Sequence, residues 1–174
     1  LRYARRWADY YDYNMCGGNP PGHHNINHQL SGSIFVELYN IDGRKNATYL
    51  ADTAKVLGEE IADPSTTNYW AWVDLLHMAM STYARMGNAT GDVRYFDKMF
   101  ANFNASALAA PTTPAGGNAS DIRNHSTFGF FNASDSLFYR DERFVGGRVY
   151  WSRGNGWALG ALVAALAHGG NGGG

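Results

Sequence analysis

The chain contains one cysteine, Cys16, in 174 residues. A single thiol excludes a disulfide within the chain and a cysteine-based metal cluster. Charge of one sign is also scarce: 14 Lys and Arg stand against 15 Asp and Glu, a net charge of -1. That balance lacks the electrostatic footprint of a nucleic-acid or anionic-membrane binder, so neither partner is expected. Long apolar runs are missing too. The richest, "WALGALVAALA", falls short of the roughly 18 residues of a membrane span. The chain opens directly on helix-like "LRYARRWADYYDY", so no signal peptide is visible and the start reads as internal or mature.

What is present points to a packed domain. Hydrophobic content of 45% with 14% aromatics is ample for a core, and the length suits one domain or part of a larger one. Six of the asparagines, Asn46, Asn88, Asn104, Asn118, Asn124 and Asn132, stand in N-x-[ST] sequons. At this composition chance supplies about two. In a eukaryotic source the excess implies passage through the secretory pathway, glycans on surface loops and a secreted or extracellular protein.

Periodicity is helical nearly throughout. Helices are expected over 1–13, 27–41, 47–62, from 68 to Met86, over 92–107 and over 154–168, with Gly, Pro and Asn clusters between them. A Pro/Gly/Asn/Ser-rich loop fills 109–135, and the strand-like pieces "SLFYRD" and "RVYW" follow as a short β-hairpin near 136–152. A Gly-rich tail occupies 169–174. "LYNIDGRKNATYLADTAKVL" and "YARMGNATGDVRYFDKMFANF" superpose with Tyr49 over Tyr95 and Leu50 over Phe96. Each is a helix end, a Gly/Asn turn and a new helix. Such repeats make an all-α array of stacked hairpins, either a solenoid or a closed toroid. Small residues at Gly160, Ala161, Ala164 and Ala165 suit the last helix to an inner, buried position.

Two stretches carry candidate chemistry. "NYWAWVDLLHMAM" (68–80) is almost wholly apolar around Asp74. On a continuous helix Trp70, Asp74, His77 and Ser81 share one stripe, and Val73, Leu76 and Met80 another. A carboxylate there either serves structure by accepting hydrogen bonds or serves a site. "YWSRGNGWALGAL" (150–162) sets Gly154 and Gly156 around Asn155 just before a helix. A Gly-rich turn exposes backbone N–H groups and lets a ligand approach closely. Arg153 suits a carboxylate, and Trp151 and Trp157 offer flat faces for sugar rings. The same stretch also reads as a tight helix start with packed tryptophans.

Together with "LFYRDERF", these stretches resemble glycoside hydrolase family 105, the unsaturated rhamnogalacturonyl hydrolases, and the related family 88 unsaturated glucuronyl hydrolases. The resemblance spans roughly residues 25 to 166 and treats 109–135 as an insertion. It implies an (α/α)6 barrel of six helical hairpins, of which residues 1–168 make about half. It also implies removal of a 4,5-unsaturated uronic acid from the non-reducing end of lyase-generated, pectin-like or glycosaminoglycan-like oligosaccharides. Water adds across the C4=C5 bond, with no cofactor. Protonating an enol ether carbon needs a carboxylic acid with a raised pKa, which a poorly solvated aromatic pocket supplies. Asp74 matches the proton donor, Trp72 a site-lining aromatic, and Arg153, Asn155, Trp151 and Trp157 the substrate-holding turn and its walls. Arg140 falls where relatives carry His or Arg. His77, where relatives carry an aromatic, reads as core packing.

Two departures bear on activity. Relatives carry "NxDDQxxGQTxLELY" where this chain has "NINHQLSGSIFVELY", so Asn27 and His28 replace an acidic pair. Asn can hold a hydroxyl but cannot take a proton, and His28 substitutes only in part. Six helices also cannot close a twelve-helix toroid, which leaves a fragment, or a half-barrel completed by self-assembly or a partner chain. The alternative is therefore a secreted glycoprotein with impaired catalysis that keeps the fold as a carbohydrate-binding or structural unit. A metal site from His23, His24 and His28 is not favoured, because no carboxylate joins them at ligand spacing.

Overall fold

A computed structural model describes residues 1–15, 26–63, 70, 72–108 and 129–169. Helix α1 (Arg2–Tyr10) precedes α2 (Ile26–Ile41), a 3-10 turn (Ala47–Leu50) and α3 (Ala51–Ala62). A composite helix follows: α4 (Val73–Leu75), a π-helical segment (Leu76–Met80) and α5 (Ser81–Thr90). Helix α6 (Arg94–Phe103) continues into a second π-helical segment (Asn104–Leu108). Strands β1 (Phe131–Asn132) and β2 (Leu137–Phe138), a 3-10 turn (Glu142–Phe144) and α7 (Ser152–Gly169) complete the order.

The helices alternate in direction. Arg5 of α1 pairs with Asp42 while Trp7 stacks on Phe35 with ring centres 5.5 Å apart, a reversed order that makes α1 antiparallel to α2. In α3, Thr53 meets Gly32 and Glu60 meets Gln29, again reversed. Contacts among α2, the 73–90 helix and α7 instead ascend together. Thr82 donates to the Gln29 carbonyl at 2.7 Å, and Arg85 faces Glu37 at 3.7 Å. Gly154 lies against Val73, Gly160 against His77, and His168 beside Asn88. These three helices are therefore parallel, the arrangement of an inner layer, with α1, α3 and α6 running back outside them. The result is about half of an (α/α)6 barrel.

The repeated sequence is a repeated hairpin. One copy joins α2 to α3 and the other α5 to α6, and each turn holds a left-handed glycine, Gly43 (φ 71°) and Gly91 (φ 73°). That conformation is strained for residues with a Cβ, which explains glycine at both helix exits. Asn46 caps the 3-10 turn by accepting from the Thr48 amide. The main core gathers Val36, Leu57, Trp70, Leu76, Met80, Tyr83, Met86 and Met99. Inside it, Glu60 accepts hydrogen bonds from Gln29 and Tyr83, each at 2.6 Å. Burial, with the Glu60 charge, pushes the Tyr83 hydroxyl far above its ordinary value. Gly87 admits Phe96 so closely that an added Cβ would sit 2.5 Å from the ring.

Several expectations need correction. The fourth helix starts at Val73, not 68, and runs to Thr90, past Met86. Trp70 lies outside it and is fully buried, so it does not share a helical stripe with Asp74. The π-helical segment adds a residue to the winding, which turns Ser81 into the core. Val73, Leu76 and Met80 are buried as their spacing requires. The sixth helix begins at Ser152, so Gly154 and Gly156 lie inside its first turns rather than ahead of it. It buries Gly154, Ala158, Ala161 and Ala165 but leaves Leu159, Val163 and Leu166 exposed. The β-hairpin pairs Phe131 with Phe138 and Asn132 with Leu137, so its first strand falls within the expected loop. Between 139 and 150 there is one bridge, Tyr139 to Tyr150. Gly169 closes α7 instead of opening the tail; 170–174 and 109–128 are outside the described residues.

Candidate active site

Parallel inner helices put their N-termini at one end of the layer. Asp74 stands in the first turn of the composite helix, Asn27 and His28 in that of α2, and Arg153 and Asn155 in that of α7. Residues 129–151 lie over the same end. Trp72 pairs with Asp141 in an antiparallel bridge, and the Val73 amide donates to the Arg140 carbonyl at 2.8 Å. "YWAWVD" is helix-like in composition, yet Trp72 is extended because its backbone has strand partners. Gly154 completes the junction: a Cβ there would lie 2.6 Å from both Val73 Cγ1 and the Trp151 ring. The open space is beside Gly156.

A cleft of about 540 Å³ opens beside this junction, lined by Arg140, Phe144, Val149, Tyr150, Trp151 and Arg153. The Arg153 guanidinium lies 4.8 Å from the Trp151 ring centre and 5.4 Å from that of Trp157. The two indoles meet edge to face at 5.1 Å. Such stacking holds a guanidinium in place while its N–H edge stays available to an anion. Asn155 faces the other way. Its Oδ1 accepts from the Phe138 amide at 2.7 Å, and its Nδ2 donates to the carbonyls of Phe138 (2.8 Å) and Trp151 (3.1 Å). The side chain thus acts as a strand partner tying β2 to α7.

Asp141, which sequence reading passed over, is buried beneath the cleft. Its carboxylate accepts from the Arg143 amide (3.1 Å), Nε (2.9 Å) and guanidinium (2.9 Å), with Arg140 at 3.7 Å. Burial pushes its carboxyl up, but the Arg143 bonds and both positive charges outweigh that and hold it below the usual aspartate range. The alternating "RDER" in "LFYRDERF" was the available signal. Tyr150, Phe144 and Val149 carried none, being ordinary strand and loop residues.

Asp74 is half-buried. Among the described residues no hydrogen bond or ion pair holds its carboxylate, and it is not among the residues lining the cleft; it follows Val73, which touches both Gly154 and Arg140. His28 and His77 are half-buried, and the Nδ1 of each is enclosed with no hydrogen-bond partner among the described residues. His77 packs toward Gly160 in the inner layer. Asn27 is exposed at the start of α2. His23 and His24 lie outside the described residues.

Helical hairpins in parallel inner register, with arginine and tryptophan gathered at one end, define about half of an α/α barrel with a cationic, aromatic cleft at that end. The family model for Glycosyl Hydrolase Family 88 matches residues 1–168, and the chain belongs to that family. An unsaturated 3S-rhamnoglycuronyl hydrolase of Alteromonas sp. (strain LOR) is 30% identical over 99 residues, 53% of this chain and 19% of that protein. A solved glycosyl hydrolase family 88 structure from Bacteroides vulgatus superposes with a TM-score of 0.71 at 22% identity. It covers 97% of this chain and 47% of its own length. A structure described as a polysaccharide lyase gives a TM-score of 0.71 at 20% identity, with 96% and 46% covered. The chain therefore spans about half the length of its solved relatives and a smaller part of the curated one.

Proposed function

We propose that the protein is a glycosidase of the unsaturated uronyl hydrolase type, close in action to the unsaturated rhamnogalacturonyl hydrolases of family 105. Its substrate would be an oligosaccharide carrying a 4,5-unsaturated uronic acid at the non-reducing end. The observation that carries the reading is Arg153, resting against Trp151 and Trp157 at the cleft, with Asp74 at the same end of the inner layer. The planar guanidinium would take the uronate carboxylate, and an indole face would cover the sugar. Asp74 would deliver a proton to C4 and accept one from the water that bonds to C5. The resulting hemiketal opens, the C1 oxygen bond to the next sugar breaks, and that sugar leaves as an alcohol. The name of the Alteromonas relative, an unsaturated rhamnoglycuronyl hydrolase, supports this substrate class.

In this scheme Trp72 lines the site and Arg140 supplies a second positive charge in the cleft. Asn155 positions the wall, and Asn27 and His28 hold hydroxyls where relatives carry acids. Hydration removes the conjugated double bond, so ultraviolet absorbance of an unsaturated disaccharide should fall with the full-length protein and persist with Asp74→Asn. Persistent absorbance with folded wild-type protein would sink the proposal and leave a sugar-binding unit. Secretion with glycans at Asn46 and Asn104 is part of the same reading, supported by the exposure of both side chains. Asn88 is half-buried, whereas Asn118 and Asn124 lie outside the described residues.

A further inference from the structure

Among the sequon asparagines, Asn132 has a distinct environment. Its Nδ2 donates to the Tyr139 hydroxyl at 2.9 Å and to the Tyr150 hydroxyl at 2.7 Å, with Asp135 Oδ2 a third, longer acceptor at 3.5 Å. Its Oδ1 accepts from the Ser134 amide at 3.0 Å. The Tyr150 hydroxyl in turn donates to Asp135. The rings of Tyr139 and Tyr150 stack with centres 5.1 Å apart at 21° between planes, and Tyr139 is buried. Asn46 contrasts with this: it is exposed, and its described bonds, from the Thr48 amide and hydroxyl, all reach its Oδ1.

An N-linked glycan replaces one Nδ2 hydrogen with a sugar. At Asn132 the sugar would remove one tyrosine bond and enter the space where both hydroxyls converge. Tyr150 lines the cleft and immediately precedes Trp151, whose ring carries Arg153. What holds Tyr150 therefore holds the start of the cleft wall.

We propose that Asn132 is an unglycosylated positioning residue, whose carboxamide sets Tyr150 and through it the Trp151–Arg153 wall of the cleft. The positioning half rests on the glycosidase reading; the unmodified state of Asn132 does not. An Asn132→Asp change keeps the shape but removes both N–H donors and adds a charge beside Asp135. It weakens substrate binding with little effect on the chemical step, because Asp74 is elsewhere.

Two measurements test this on the full-length chain. Secreted from a glycosylating eukaryotic host and mapped by peptide mass spectrometry, folded protein carries no glycan on Asn132; a substantially occupied Asn132 in folded protein overturns the proposal. In the disaccharide assay, Asn132→Asp raises KM about tenfold with kcat within about twofold, as expected when a binding contact is displaced. If that variant fails to fold, Tyr150→Phe, which keeps the ring stack and loses only the hydroxyl, decides through a KM rise of about threefold. Wild-type KM in the folded variant overturns the positioning role. If wild-type protein turns over no unsaturated disaccharide, the glycosidase reading has failed, and the glycan map decides the Asn132 assignment by itself.

Discussion

On and behind the wall of the cleft, polar side chains are tied down. Asn155 is bonded to the backbone of Phe138 and Trp151, Asp141 to Arg143, Asn132 to two tyrosines, and Arg153 rests against two indoles. Toward the N-terminal end of the inner helices the opposite holds. The Asp74 carboxylate has no described bond, and the Nδ1 atoms of His28 and His77 are unbonded among the described residues. A group that orients a ligand works best when its own position is fixed, whereas one that gives and takes protons must not be committed elsewhere. Under the proposed function the two regions divide along that line, with Asp74 as the uncommitted group. Substitutions on the wall should therefore disturb binding and stability, and substitution of Asp74 should disturb turnover alone.

The largest effect expected is from Asp74→Asn. Turnover should fall by about a thousandfold or more, the usual range for a lost general acid. Stability should stay within about 0.5 kcal/mol, since no described bond is lost. Steady-state kinetics beside a denaturant melt checks both, and a large loss of stability would erase the contrast. Gly154→Ala attacks the wall where it meets the helix. Its Cβ would come within 2.6 Å of Val73 and Trp151, and overpacking of this kind costs about 1–3 kcal/mol. A chemical denaturation midpoint measures it.

Arg153→Lys sharpens the comparison. Charge survives but the planar contact with the two indoles does not, so KM should rise about tenfold while kcat changes little. The smallest effect is electrostatic. Asp141 has a folded pKa below its unfolded one, so its stabilisation is present above the ordinary aspartate range, about pH 4, and fades as pH falls through the folded value. Asp141→Asn should remove about 1 kcal/mol at pH 7, because Arg143 is half-exposed and screened. It should also flatten the loss of stability as pH falls below about 4, read from thermal melts across the acid range.

Much of the hairpin array was legible. The apolar spacing of α2, the Gly43 and Gly91 turns, and the Tyr49/Tyr95 repeat are local features, and helices report local features well. "WSRGNGW" and Asp74 stood out because their residue types are unusual where they occur. Less legible was the backbone at Trp72 and Val73. It reads as helix until Trp72 bridges Asp141 and the Val73 amide meets the Arg140 carbonyl, some 68 positions later along the chain. Asn155 and Gly154 resemble a ligand-holding turn, yet one acts as a strand partner and the other gives room to Val73 and Trp151. Asn132 carries a sequon, and no neighbouring residue discloses the tyrosines that take up its amide.

By itself the sequence determined a helical array with two-helix repeats, a nearly balanced charge, and the residues on which the proposed chemistry rests: one acid, one arginine and a pair of indoles. Those follow from composition and from periods of three and four residues, which are properties of neighbours. Only the tertiary structure decided that three inner helices run parallel and bring their N-termini to one end. It also decided that residues 129–151 cover that end, that a π-helical segment turns Ser81 inward, and which asparagines serve as struts. Those outcomes depend on pairings across tens of residues, where one backbone hydrogen bond or one missing Cβ selects between arrangements that local preference cannot tell apart.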